Sequence, residues 1–134
     1  MKIAIDPGHG MSNRQKNVFD TGATHTEGGV KFTEASIALK YGLSLKDRFR
    51  ALGHDVFMTR DDDGDPAPVG ARAGNAETAG CDVFLSLHLN DADDDAARGL
   101  EVLYRGDDDK PLAGALQDSL IKVTGFRDRG IKLR

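Results

Sequence analysis

The chain has 134 residues, a length that suits one domain, and its 18 Lys and Arg against 22 Asp and Glu leave a net charge of −4. That balance argues against a basic nucleic-acid or anionic-membrane surface. Hydrophobic residues at 39% and charged residues at 30% fit a folded domain rather than a disordered chain. No apolar run approaches the roughly 20 residues of a membrane helix, and Cys81, the single cysteine, excludes an internal disulfide.

Met1-Lys2 leads straight into Ile3-Ala4-Ile5, too short a run for a secretory signal of about 7–15 apolar residues. Lys2–Asp6 reads as a strand buried on both faces, broken by Pro7-Gly8. Residues 10–32, rich in Gly, Thr and Asn, carry no clear period and are expected to be a long surface loop. Glu34–Leu52 is the strongest helix: Ala38, Tyr41, Leu45, Phe49 and Leu52 form one expected core stripe, with Thr33 as N-cap and Gly53 at its stop. A second strand is expected over Asp55–Thr59, a short helix over Ala71–Ala79, a third strand over Asp82–His88 and a fourth over Gly99–Arg105. Pro111–Thr124 reads as the last helix, with Pro111 in its first turn. Gly125–Arg134 is expected to close the chain without another strand. The alternation of strands and helices predicts an α/β layered domain with a largely parallel sheet.

Only four histidines and four glutamates are present, so any chemistry that needs them has few places to reside. His9 lies just past the first strand and His88 at the end of the third. In open α/β sheets ligands gather outside those carboxyl ends. With Glu34 opening a helix, the three form a candidate His₂Glu set, the ligand type that holds Zn²⁺ with a fourth position open for water. Either histidine alone reads equally well as a strand-end polar residue. Asp6 is a candidate to hold one imidazole from behind, and equally a turn former. His25 reads as a solvated loop residue, His54 as a helix-end residue and Cys81 as a buried small side chain. The acidic runs Asp61–Asp65, Asp91–Asp95 and Asp107–Asp109 fail the EF-hand ligand pattern and read as solvated turns. Gly8-His9-Gly10 lacks the third glycine of a dinucleotide fingerprint.

An ordered set of motifs, IDPGHG at 5–10, TEASIALKYGLSLKDRFRALGHDVFMTRDDD at 33–63, DVFLSLHLN at 82–90, GLEVLYR at 99–105 and GFRDRGIKLR at 125–134, resembles the zinc-dependent N-acetylmuramoyl-L-alanine amidases of the amidase-3 type. Those domains serve bacterial cell-wall enzymes and phage endolysins. The resemblance spans residues 1–134 as one domain. It implies a three-layer α/β/α fold around a mostly parallel sheet, with the family's last strand and helix wanting. It implies one Zn²⁺ held by His9, Glu34 and His88, with Asn90 of the same motif as His88 at the substrate. The implied reaction is hydrolysis of the amide between MurNAc and L-Ala of peptidoglycan, by a monomer that neither binds nucleic acid nor inserts into membranes.

In that family the catalytic base is a glutamate on a strand beyond the stretch matching GFRDRGIK. The expectation is therefore that the base has no counterpart here, with Glu101 as a weak substitute. This motivates a second reading, a catalytically impaired zinc domain that binds muropeptide or regulates an active amidase. A third is a zinc peptidase with similar ligands. The missing signal and wall-binding module lean towards a lysin that reaches the wall by holin-type release.

Overall fold

The apolar run after Met1 becomes the central strand of a parallel sheet. The computed structural model describes residues 1–15, 17–91 and 98–134. Its elements run β1 (Lys2–Pro7), β2 (Thr24–Glu27), β3 (Val30–Thr33), α1 (Glu34–Ala51), β4 (Asp55–Met58), α2 (Arg72–Thr78), β5 (Val83–Leu87), β6 (Leu100–Tyr104), a 3-10 turn (Asp107–Asp109), α3 (Lys110–Thr124) and β7 (Asp128–Leu133). It is a mixed α/β structure with mostly parallel sheets. Two units, Met1–Asp91 and Ala92–Arg134, are described in turn.

In the first unit the sheet order is β4-β1-β5, all parallel. Ile3, Ala4 and Ile5 are at most 5% exposed, as a strand with neighbours on both sides requires. The chain passes from β1 through α1 to β4 on one side, then through α2 to β5 on the other. Connectivity thus reverses at β1, and such a switch point leaves a crevice outside the carboxyl ends of the two diverging strands. Here those are β1 and β5, whose ends are level: Pro7 pairs with Leu87, and the Gly8 N–H donates to the Leu87 carbonyl at 3.0 Å.

Helix α1 starts at the expected cap, where Thr33 Oγ1 accepts from the Ser36 N–H at 3.2 Å, and its end is followed by left-handed Gly53 (φ 82°). Its core face differs from the expected stripe. Glu34, Ala35, Ala38 and Gly42 are buried, whereas Tyr41 and Leu52 are 65% and 72% exposed. The reason is close approach. A Cβ on Gly42 would stand 2.8 Å from Pro7 Cγ, so the contact with β1 admits only small side chains.

The expected loop over 10–32 contains an antiparallel hairpin instead, with His25 opposite Phe32 and Glu27 opposite Val30. Gly28 and Gly29 are both left-handed (φ 57° and 78°), the geometry of a two-residue hairpin turn. Its strands are four residues each and mostly exposed; β2 is wholly polar, and the alternation Val30-Lys31-Phe32-Thr33 of β3 is too brief to mark a strand.

In the second unit, α3 packs on β6 and β7. Pro111 lies in its first turn and left-handed Gly125 caps its end. The expectation that no strand follows this helix is overturned: β7 pairs in parallel with β6. Its sequence hides the strand because Gly130 (φ 76°) and a register shift interrupt it. Polar contacts hold it in place. Glu101 on β6 takes Arg129 Nε at 3.0 Å and also Lys132 Nζ from β7, while buried Gln117 of α3 donates to the Leu100 carbonyl at 2.9 Å and to Asp128 at 2.5 Å. Among the described residues, no helix is long and apolar enough to cross a membrane.

Two helical glycines should respond oppositely to alanine. Gly114 in α3 faces open space, so Gly114→Ala should raise stability by up to about 1 kcal/mol through helix propensity. Gly42→Ala gains the same propensity but forces the Pro7 ring, an overpacking of about 1–3 kcal/mol, and should lower stability. Denaturant midpoints of the two variants check the sign of each.

Candidate metal centre

His9 stands two residues beyond β1, Glu34 is the first residue of α1 and His88 directly follows β5. The parallel register brings the two histidines side by side, with ring centroids 4.9 Å apart. One ligand atom from each of the three residues lies within 4.8 Å of the others. The side chains of His9, Glu34 and His88 are 11%, 5% and 51% exposed, so the cluster is closed on two sides and open at His88.

Each oxygen of Glu34 faces one ring. Oε2 lies 3.0 Å from His9 Nε2 and accepts from the Ala23 N–H at 3.0 Å. Oε1 lies 2.9 Å from His88 Nδ1 and accepts from the Leu89 N–H at 2.7 Å. Burial alone would raise the Glu34 pKa, but the two N–H donors and the histidines outweigh it and hold the pKa below its ordinary value.

Behind His9 stands Asp20, not Asp6. Asp20 Oδ2 is 3.1 Å from His9 Nδ1 and accepts from Ser12 Oγ at 3.2 Å, while Oδ1 accepts from the Gly22 N–H at 3.0 Å. Burial again works against the charge, and the Gly22 N–H, His9 and Ser12 overcome it, so the Asp20 pKa is also lowered. With Nδ1–H committed to Asp20, His9 turns the lone pair of Nε2 towards a carboxylate oxygen. Two acceptors 3.0 Å apart require a cation, a proton or a metal ion, between them.

Asp6, read from sequence as a candidate imidazole partner, serves a different buried cluster. Its Oδ1 accepts from Thr59 Oγ1 at 2.6 Å and Arg72 Nη1 at 3.0 Å, and its Oδ2 from Ser86 Oγ at 2.7 Å. Arg72 also donates to the carbonyls of Ala67, Pro7 and His9 at 2.9, 3.2 and 2.6 Å. Arg60, 1% exposed, donates to those of Pro7, Gly8 and Ala35 at 3.0, 2.9 and 2.7 Å. Burial draws the Arg60 pKa down from its ordinary value, with Asp63 opposing. The two guanidiniums thus hold successive carbonyls of the turn that carries His9, a residue that is itself left-handed (φ 64°).

Glycines make the room. A Cβ on Gly8 would meet His88 Cε1 at 2.4 Å, and one on Gly22 would meet Glu34 Oε2 at 2.7 Å. Sequence reasoning missed Asp20, Gly22, Arg60 and Arg72. The one available signal was Arg72, a lone long cation between Ala71 and Ala73 in a helix of small residues.

His54 edges onto Phe49 with ring centroids 6.2 Å apart, as a helix-end residue should. His25 is exposed on β2, Asn90 is exposed two residues past His88, and Cys81 is half-buried rather than buried. Glu101 belongs to the second unit, engaged by two cations of β7. The carboxylates of Asp61, Asp62 and Asp65 lie together, but those of Asp62 and Asp65 take N–H donors of their own turn. The run Asp91–Asp95 lies outside the described residues from position 92 on.

A family model described as N-acetylmuramoyl-L-alanine amidase, of the amidase-3 type, matches residues 3–134. The chain belongs to this family. It is 35% identical over 100 residues to N-acetylmuramoyl-L-alanine amidase AmiC of Neisseria meningitidis, covering 75% of this chain and 21% of that protein. To the amidase LytC of Bacillus subtilis it is 31% identical over 134 residues, covering 97% of this chain and 25% of that protein. The chain thus spans about a quarter or less of these two relatives' length. Among solved structures, the amidase AmiC2 of Nostoc punctiforme superposes with a TM-score of 0.85 at 27% identity, over 100% of this chain and 69% of that one.

Two outcomes follow from the polar interior. Arg72→Met would leave the Asp6 carboxylate, 5% exposed, without its cation, at a cost of about 3–5 kcal/mol. The exposed Arg48→Met should cost no more than about 1 kcal/mol, and chemical denaturation of both variants compares them. The lowered pKa of Glu34 makes its charged form stabilising above its ordinary value of 4.5, and this contribution disappears as pH falls through the folded value. Stability measured from pH 6 downward should therefore fall below about pH 4.5, and Glu34→Gln should make that fall shallower.

Proposed function

We propose that the chain hydrolyses the amide between the lactyl group of MurNAc and L-Ala of peptidoglycan, at a Zn²⁺ held by His9, Glu34 and His88. The carrying observation is the convergence of two imidazoles on the two oxygens of one buried carboxylate. Donor atoms about 3.3 Å apart are what tetrahedral bonds of 2.0–2.1 Å require, and the Glu34 pairs at 3.0 and 2.9 Å contract little from that. The acceptor-against-acceptor contact of His9 with Glu34 fits a cation at the same point. When bound, Zn²⁺ supplies a Lewis acid for the amide carbonyl and lowers the pKa of water towards about 7.

The chain's own residues set the conditions for this. Asp20 fixes the His9 tautomer by holding the Nδ1 proton and strengthens the ring as a donor. The N–H groups of Ala23 and Leu89 keep Glu34 ionised and aimed. In the overall reaction the C–N bond breaks, the acyl carbon gains a hydroxyl from water, and the nitrogen leaves as the free amine of L-Ala. Peptidoglycan, and so the cell wall, is the place of action on this reading. A binding-only role has the same metal set and differs in turnover alone.

Zinc-loaded protein should release new L-Ala amino termini from sacculi, and chelation should abolish release and lower the melting temperature, since a metal that binds only the native state stabilises it. His88→Ala should lose at least about tenfold in zinc affinity, while His54→Ala should lose almost none. Intact sacculi after treatment with zinc-loaded protein would leave the binding-only role, and equal zinc affinities of the two variants would refute the ligand assignment.

A further inference from the structure

A cavity of about 240 Å³ adjoins the cluster, with His9 and His88 in its wall and Ser12, Arg14, Asp20 and Arg72 around it. Most of its polar lining is already committed. Arg72 is spent on Asp6 and three carbonyls, Ser86 donates to Asp6 and Ser12 to Asp20. Arg14 differs. Its Nε stands 3.6 Å from Asp20 Oδ2, and its side chain is 66% exposed. It is thus a cation at the cavity mouth, one carboxylate away from His9.

The backbone leading to Arg14 is anchored as far as Ser12. Gly10 and Asp20 exchange two N–H to carbonyl bonds of 2.9 Å, the Ala67 N–H donates to Met11 at 3.1 Å and the Val69 N–H to Ser12 at 3.2 Å. Ser12, two residues before Arg14, is 3% exposed. The Asp20 contact then orients the guanidinium from one edge and leaves the charge accessible. Asp20 does not cancel it outright, because that carboxylate is shared with His9, Ser12 and Gly22.

The chemistry of the proposed substrate says which part such a group selects. On the sugar side the lactyl carboxyl is consumed in the scissile amide, which leaves hydroxyls and an acetamido group. Free carboxylates lie only on the peptide side, first on the glutamyl residue that follows L-Ala. We propose that Arg14 is a specificity-determining residue that binds this carboxylate and so favours stem peptides in which it is free over those in which it is amidated. The inference rests on the amidase reading and deepens it. Guanidinium suits the task because its planar donors match a carboxylate in pairs, whereas a carboxamide offers one acceptor and no charge.

The test uses two muramyl dipeptides, MurNAc-L-Ala-D-glutamate with its γ-carboxyl capped as a methylamide and its α-carboxyl free, and the same compound with that α-carboxyl as a carboxamide. With zinc-loaded full chain, kcat/KM should favour the free acid at least about tenfold, the worth of one charge-assisted hydrogen bond. Arg14→Ala should remove the preference chiefly through KM, and Arg14→Lys should keep part of it. Calorimetric binding of the product dipeptides, L-Ala-D-glutamate γ-methylamide with its α-carboxyl free or amidated, gives a second readout that needs no turnover. Arg14-dependent binding of the acid without turnover would support this inference and fail the hydrolytic reading alone. Equal handling of acid and amide by the unaltered chain, or a preference that survives in Arg14→Ala, would overturn it.

Discussion

The pair of buried guanidiniums beneath the Pro7–His9 turn is the constraint on which the site depends. A chain leaving the middle of a parallel sheet ordinarily loses its carbonyl partners within a residue or two, and buried carbonyls without donors are costly. Here the carbonyls of Pro7, Gly8 and His9 take donors from Arg60 and Arg72. The turn can therefore end in a left-handed histidine, a conformation that non-glycine residues rarely adopt. Arg60 reaches further, to the carbonyl of Ala35 beside Glu34. One side chain thereby ties the segment of the first histidine to the start of the helix bearing the carboxylate.

Asp6 completes the tie to the third element. Through Ser86 it touches β5 two residues before His88, and through Thr59 it touches the chain one residue before Arg60. A carboxylate buried in a sheet would be destabilising alone. Paired with Arg72 and two hydroxyls, it links β1, β5 and the segment after β4 by directional bonds, which apolar packing does not supply. Among the described residues, the buried hydrophobic side chains are all alanine and isoleucine.

The sequence made legible what depends on periodicity and on strand ends. Lys2–Pro7, Val83–Leu87 and α1 are continuous patterns, and His9 and His88 declare themselves by standing where those patterns stop. Asp20 was illegible because its role comes from its bridge to Gly10, next to His9, a contact without a local pattern. The hairpin was illegible because Gly28-Gly29 joins a wholly polar strand to one whose alternation lasts only four residues. β7 was hidden by Gly130 and by charged residues whose partner, Glu101, lies far back in the chain. On α1 the expected stripe and the buried face share Ala38 but diverge at Tyr41 and Leu52, because helical spacing marks large side chains whereas the close approach of Pro7 selects Gly42.

The exposure of the three clustered residues sets a direction for the chemistry. His9 and Glu34 are enclosed and hydrogen-bonded on their outer atoms, whereas His88 is half-exposed and its ring rests over Gly8. Any ion held there is screened from water on the side of the hairpin base, where Gly22 and Ala23 press against Glu34. It is approachable past His88. On the proposed metal reading, a fourth ligand, whether water or the carbonyl of an amide, would enter by that opening, beside the cavity whose wall includes Arg14. The rigid pair fixes the charge, and the exposed histidine leaves the entry free.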